Sequence, residues 1–336
     1  MKNKMKNKII ILVLSLVMLI TIVLLSSCGE KKERVVIYTA AENYRIEYLT
    51  KRLNEQFPQY DIKIEYMSTG NLAAKLKAEG SNSKCDIVYD LEYGYMTQLD
   101  KDGIFAPVGN MYDKTLFLDE IIVSNNFLPE YKNGGAIIVN RKMLEEKSLP
   151  VPTCYEDLLK PEYKNLISMP NPKTSGTGYM FVRALVNSMG EDNAFEYLKK
   201  LSENILEFTS SGSGPVENLS IGETAIAIGM TSQAVMKNSN GANFDIIFFD
   251  EGSPYCMYGQ TIISGKEEKT AVKEVFDFMI NVYSYENLAN FTPEKIYKDK
   301  EFVIENYPAD IKYADMSNDT PEEKERLLGI WDSKVN

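Results

Sequence analysis

The chain has 336 residues, 44% of them hydrophobic and 25% charged, with 37 Lys and Arg against 48 Asp and Glu, four Cys and no His. Without histidine there is no Ser-His-Asp or Cys-His triad, no His-ligated zinc site and no imidazole general acid or base. A net charge of −11 argues against a nucleic-acid partner, because phosphate-backbone binders gain affinity by releasing counterions from a basic surface.

The first elements predicted are not fold. Lys2, Lys4, Lys6 and Lys8 precede an apolar run from Ile9 to Leu25, which ends in Leu25-Ser26-Ser27-Cys28. This is the layout of an export signal, and a permanent anchor helix is the alternative. Leu-Ser-Ser-Cys resembles a bacterial lipobox, which implies cleavage after residue 27, lipid on Cys28 and attachment to the outer face of the cell membrane. Residues 28–34 then form a short polar tether. Removing residues 1–27, which carry four lysines and no acidic residue, takes the net charge from −11 to −15. Cys85, Cys154 and Cys256 remain; their spacing gives neither a disulfide framework nor a zinc site.

Val35-Val36-Ile37-Tyr38 reads as a strand, and Ile46, Leu49, Leu53 and Phe57 recur at helical spacing up to Pro58. A second strand carries Ile62, Ile64 and Tyr66, a second helix carries Leu72 and Leu76 and closes at Gly80, and a third strand follows at Asp86-Ile87-Val88-Tyr89. Strands separated by single helices predict parallel pairing in an open α/β sheet, where ligands bind outside the carboxyl ends of the strands. A second series starts at Ala136-Ile137-Ile138-Val139. It continues through a capping box at Thr153-Cys154-Tyr155-Glu156 and strands at 166–169, 225–228 and 245–249, into a mostly helical C-terminal third.

Two stretches rich in glycine and hydroxyls each stand between a strand and a helical pattern: Lys173-Thr174-Ser175-Gly176-Thr177-Gly178-Tyr179 and Thr209-Ser210-Ser211-Gly212-Ser213-Gly214-Pro215. At a helix start the first N–H groups lack intrahelical partners and the dipole is positive, so such turns suit an oxyanion; plain turns with good N-caps are the alternative. Phe181 occupies the third glycine position of a dinucleotide fingerprint, and no Gly-Lys-Ser/Thr follows either loop. Thr39-Ala40-Ala41-Glu42-Asn43 after the first strand and Tyr89-Asp90-Leu91-Glu92-Tyr93 beyond the third stand at the same sheet edge. Asp90, Glu92 and Glu251 are carboxylates able to hold an amine or cation, or simply to be solvated. No nucleophile has an evident base, and an enzyme is not expected.

The lipobox, the Tyr38-Thr39-Ala40 strand end, Ser175-Gly176-Thr177-Gly178 and Gly222-Glu223-Thr224-Ala225-Ile226-Ala227-Ile228-Gly229 together resemble the solute-binding lipoproteins of ABC importers. The nearest group by this resemblance is the type II bilobed family that carries iron, thiamine, 2-aminoethylphosphonate, phosphate esters or polyamines. The resemblance implies an α/β, two-lobed periplasmic-binding-protein-like fold with a ligand cleft between two open α/β sheets, closed by hinge motion. Expected limits are 35–133 for lobe 1, 134–250 for lobe 2, and 251–336 returning to lobe 1 with helices on both. It further implies a monomer that hands a small anionic solute to an ABC permease, with no cofactor and no metal. The ligand-binding residues expected are Thr39, Ala40, Asn43, Asp90, Ser175, Gly176, Thr177, Gly178, Ser211, Gly212, Ser213, Met230, Glu251 and Tyr255, with 2-aminoethylphosphonate as first ligand. Ferric iron is the alternative on the same fold, held by tyrosines such as Tyr255 or Tyr258, although no tyrosine pair follows Met230. A surface hydrolase or transferase is the third reading.

Overall fold

The computed structural model describes residues 32–335, so the expected export segment and Cys28 lie outside the described residues. β1 (Arg34–Thr39), α1 (Asn43–Gln56), β2 (Asp61–Tyr66), α2 (Thr69–Glu79), β3 (Ile87–Glu92) and α3 (Tyr93–Lys101) follow one another as the alternation predicts, with β1 parallel to both β2 and β3. β3 is central and covered on both faces, so all six of its residues are buried, acidic ones included. One face packs Val35, Ile37, Leu49 and Ile87 against a C-terminal helix; the other packs Tyr38, Leu72, Leu76 and Met96. Burial on both faces is why these strands read as continuous apolar runs.

β4 (Leu128–Val139) and α4 (Arg141–Glu146) lead into the second series: β5 (Ile167–Pro170), α5 (Gly176–Met189), α6 (Glu191–Ser202), β6 (Ile205–Thr209), α7 (Gly214–Ser220), β7 (Ile226–Met230), α8 (Thr231–Ser239) and β8 (Asp245–Ile247). β9 (Tyr255–Ile262), α9 (Thr270–Phe278), α10 (Ser284–Asn290) and α11 (Pro321–Lys334) complete the chain. The strand order is β2-β1-β3-β9-β4-β7-β5-β6, with β8 paired to β4. β4 belongs to both lobes: Leu128 to Gly134 pair with β9, and Gly135 to Val139 pair with β7. At the exchange point Gly135 lacks a Cβ that would lie 2.7 Å from Met180 Cε and Phe181 Cζ, so α5 seats directly on the crossing strand.

Three expectations fail here. Thr153 is not a helix N-cap; its N–H and hydroxyl both donate to the Asp157 carboxylate at 2.8 Å, and only a 3₁₀ turn, Glu156–Leu159, follows. The C-terminal third contains β9, whose mixed Tyr, Cys, Met and Gly residues carry neither strand alternation nor a helical period. β8 stops at Ile247, two residues short of the run read from sequence. Cys85 and Cys256 are buried, Cys154 is half-buried, and all three are free thiols.

Candidate functional site

Five helix N-caps meet at one place. Glu42, Ser68, Ser175, Ser213 and Met230 precede α1, α2, α5, α7 and α8, and all five line a narrow cavity between the lobes, about 340 Å³ of empty space when the open solvent at its mouth is included and about 20 Å³ for water-sized occupants. The convergence follows from topology, because each of these helices starts where a strand of its sheet ends. Glu42, Ser68, Ser213 and Met230 make no side-chain cap; at the start of α2 the Gly70 N–H donates instead to the Thr174 carbonyl at 3.0 Å, and at the start of α7 the Gly214 N–H donates to the Ser211 carbonyl at 3.3 Å while Pro215 has no N–H. Ser175 does cap, accepting from Gly178 N–H at 3.3 Å. Thr69, Thr177 and Ser211 add hydroxyls, and Tyr66 and Tyr258 add phenols. Among the described residues no lysine or arginine lines the cavity, and its charged side chains are Glu42 and Asp90.

Eight of the fourteen residues expected from sequence line the cavity: Ala40, Asp90, Ser175, Thr177, Ser211, Gly212, Ser213 and Met230. Six do not. Thr39 is buried behind Ala40, and its hydroxyl accepts from Ala41 N–H at 3.1 Å, which fixes the turn. Gly176 and Gly178 lie just inside α5; a Cβ on Gly178 would meet the Pro170 carbonyl at 2.4 Å, so the glycine lets the helix start close to its strand. Asn43 is exposed on the first turn of α1, and Glu251 stands on the turn beyond β8. Tyr255 packs on Tyr313 with ring centroids 5.2 Å apart, three residues before the cavity-lining Tyr258 on β9. Of the other lining residues, Ala41 and Glu42 belong to the candidate strand end 39–43 and Tyr258 was named as an iron ligand, while Tyr66, Ser68 and Thr69 were not anticipated. Ser68-Thr69-Gly70 repeats the strand-hydroxyl-glycine-helix pattern of the other loops, and that signal was present in the sequence. Tyr258 was offered only as a phenolate for iron, because β9 was not readable as a strand.

The acidic side of the cavity is built on a buried cation. Arg45, fully buried on α1, donates to Glu42 at 3.1 Å, to Glu130 at 2.9 Å, to Asn287 at 3.0 Å and also to Asp90, with its guanidinium 4.2 Å from the Tyr131 ring centroid. Asp90 lies within the bulge of β3 between Val88 and Leu91 and takes a left-handed backbone, φ 60°, which is rare for a non-glycine residue and a mark of local strain. Asp90 thus reaches the cavity already engaged with Arg45, not free as the sequence reading assumed. Glu92 is buried and ion-paired with Lys324, outside the lining.

Burial pushes the Asp90 carboxyl up to about 7 and that of Glu130 up to about 8, with Arg45 pulling both the other way. Burial also lifts Glu294 to about 7. The folded chain therefore holds more protons than the unfolded chain between roughly pH 4 and 8, so stability present below that range is lost as pH rises through it. Carboxylates held low by ion pairs, such as Glu286 and Asp157, titrate below the window and do not oppose the trend. The ligand-free protein is expected to melt at a lower temperature at pH 8.5 than at pH 5.5; a rise over that interval would contradict the assignment.

A profile of the bacterial extracellular solute-binding protein family matches residues 82–331. The chain belongs to that family. Solute-binding proteins of this family deliver small solutes to ABC permeases. An uncharacterized protein of Haemophilus influenzae is 28% identical over 270 residues, 76% of this chain and 75% of that one. The Iron uptake protein A1 of Synechocystis is 25% identical over 233 residues, 62% of this chain and 60% of that one. The periplasmic binding protein AfuA of Actinobacillus pleuropneumoniae, solved with fructose-6-phosphate bound, superposes with a TM-score of 0.79 at 25% identity, covering 91% of this chain and 99% of AfuA. The two-lobed type II fold expected from sequence is thereby established. Among the described residues no helix is long and apolar enough to cross a membrane.

Proposed function

We propose that the cleft captures a small phosphonate or phosphorylated organic solute, 2-aminoethylphosphonate first, and delivers it to an ABC permease from a lipid anchor on Cys28. The observation that carries this is the meeting of the helix starts with serine and threonine hydroxyls, in a cavity whose lining holds no basic side chain. Fixed N–H dipoles stabilise a tetrahedral oxyanion without the desolvation cost of a buried lysine. Glu42 and Asp90, each already bound by Arg45 through one oxygen, are the charged side chains that would face a ligand amine, which favours a zwitterion over a plain phosphate. AfuA, with its bound phosphate ester, supports the anion class. In this reading residues 35–133 and 134–250 are the two jaws, and no bond of the solute is broken.

The test is a thermal-shift screen of residues 29–336 with 2-aminoethylphosphonate, sugar phosphates, inorganic phosphate, thiamine, spermidine and ferric citrate. A ligand at 100 times its Kd adds about 2.7 kcal/mol. Ser175→Ala and Ser213→Ala are each expected to weaken phosphonate binding by about 1–3 kcal/mol in calorimetry; unchanged affinity in both removes these hydroxyls from the site. Ferric iron is the second reading. Tyr66 and Tyr258 both line the cavity and could supply phenolates beside Glu42 and Asp90, and Iron uptake protein A1 is a relative. A shift with ferric citrate alone, with a phenolate-to-iron colour, would select it.

A further inference from the structure

We propose that Lys324, which does not line the cavity, sets its affinity for anions by neutralising Glu92 beside the start of α5; the proposal rests on the anion reading above. Glu92 ends β3 in lobe 1. Its Oε1 accepts from Gly94 N–H at 2.8 Å and so caps α3, and its Oε2 is ion-paired to Lys324 of α11. Its methylenes lie against the first residue of α5: a Cβ on Gly176 would stand 3.1 Å from Glu92 Cγ and 2.8 Å from the Tyr258 hydroxyl oxygen. Ser175, one residue back, and Tyr258 both line the cavity. A buried carboxylate therefore sits next to one of the helix starts on which the oxyanion depends.

Unpaired, that carboxylate would repel the ligand through protein and not through water, where screening is weak. Lys324 removes the charge. It is itself buried, with its ammonium 3.9 Å from the Tyr95 ring centroid and 4.6 Å from that of Tyr179, and the carboxyl of Asp319 also faces it. Tyr95 belongs to lobe 1 and Tyr179 to lobe 2, so the ammonium occupies the seam.

α11 reaches the seam from lobe 2. Trp331 packs edge-on to Phe208 of β6 at 5.4 Å, Arg183 holds Glu323 at 2.9 Å, and Lys173 holds Asp332 at 2.6 Å. Toward lobe 1 the same helix offers Lys324 to Glu92 and Glu322 to Lys101 at 2.6 Å. The neutralising charge is therefore in place only when the lobes meet, which couples closure to anion capture.

The experiment compares wild type, Lys324→Met, Glu92→Gln and Glu92→Gln/Lys324→Met by calorimetry with 2-aminoethylphosphonate and with fructose-6-phosphate, the two ligands differing in net charge. Lys324→Met is expected to lose about tenfold or more in affinity, more for the sugar phosphate, and the double variant to return to within about threefold of Glu92→Gln. Wild-type affinity in Lys324→Met, or a double variant as weak as Lys324→Met, would overturn the charge assignment and leave Lys324 a packing residue. Melting of the ligand-free variants keeps the two readings apart. If wild type binds neither probe, the anion reading falls, and the pairing is then judged by whether Glu92→Gln restores the stability lost in Lys324→Met.

Discussion

Arg45→Met is expected to cost about 3–5 kcal/mol of folding stability at pH 8.5, a large share of the roughly 5–15 kcal/mol available to a protein of this kind. The guanidinium is the shared partner of Asp90, Glu130 and Glu42, and the first two are buried. Methionine fills much of the same volume but leaves carboxylates in a low-dielectric interior with no cation. They can escape by taking up protons, and this sets the sign of the pH effect. At pH 5.5, below the values of about 7 and 8 for Asp90 and Glu130, the carboxyls are already neutral and the loss is smaller. At pH 8.5 neutralisation is itself uphill and the loss is full. Urea denaturation at the two pH values measures the difference. A variant within about 1 kcal/mol of wild type at pH 8.5 would show that Arg45 does not carry this cluster. Because Asp90 lines the cavity with a strained backbone, the same variant is expected to bind 2-aminoethylphosphonate more weakly even where it folds.

Gly70→Ala tests closure without touching the ligand. Gly70 is the second residue of α2 in lobe 1, and its N–H donates at 3.0 Å to the Thr174 carbonyl of lobe 2. A Cβ there would lie 2.4 Å from the Lys173 carbonyl oxygen, backbone that cannot rotate away. In a free helix the same change is favourable by up to about 1 kcal/mol. The prediction is therefore a split: melting of the ligand-free protein unchanged or slightly raised, and ligand affinity reduced by about 2–3 kcal/mol, roughly 30- to 150-fold, because the seam has to stay parted and one hydrogen bond is lost. Affinity within about threefold of wild type would mean that the described lobe contact is not needed for capture.

How far the site could be read in advance differs residue by residue. Ser175, Thr177, Ser211 and Ser213 were visible because a glycine-hydroxyl turn between a strand and a helix is a local pattern with a local cause: unpaired N–H groups at a helix start. Ser68-Thr69-Gly70 carries the same pattern and belonged with them. Glu251 was assigned from its place after a strand and Tyr255 as a phenolate for iron, but neither lines the cavity, and Tyr255 packs on Tyr313 instead. Arg45 gave no signal. It sits within the helical period of Ile46, Leu49 and Leu53, and the groups that hold it, Tyr89, Glu130 and Asn287, are 44, 85 and 242 residues away.

The sequence by itself determined the alternation of strands and helices in both halves, the glycine-hydroxyl turns at helix starts and the absence of imidazole chemistry, since each depends on residue type and short spacing. Only the tertiary structure decided that β9 enters between β3 and β4, that β4 changes partners at Gly134 and Gly135, and that Lys324 meets Glu92 across 232 residues. The physical reason is the same in each case. Backbone ladders form between any two strands that burial brings together, and a buried charge is matched by whatever opposite charge the packed chain places beside it, so neither leaves a mark in local sequence.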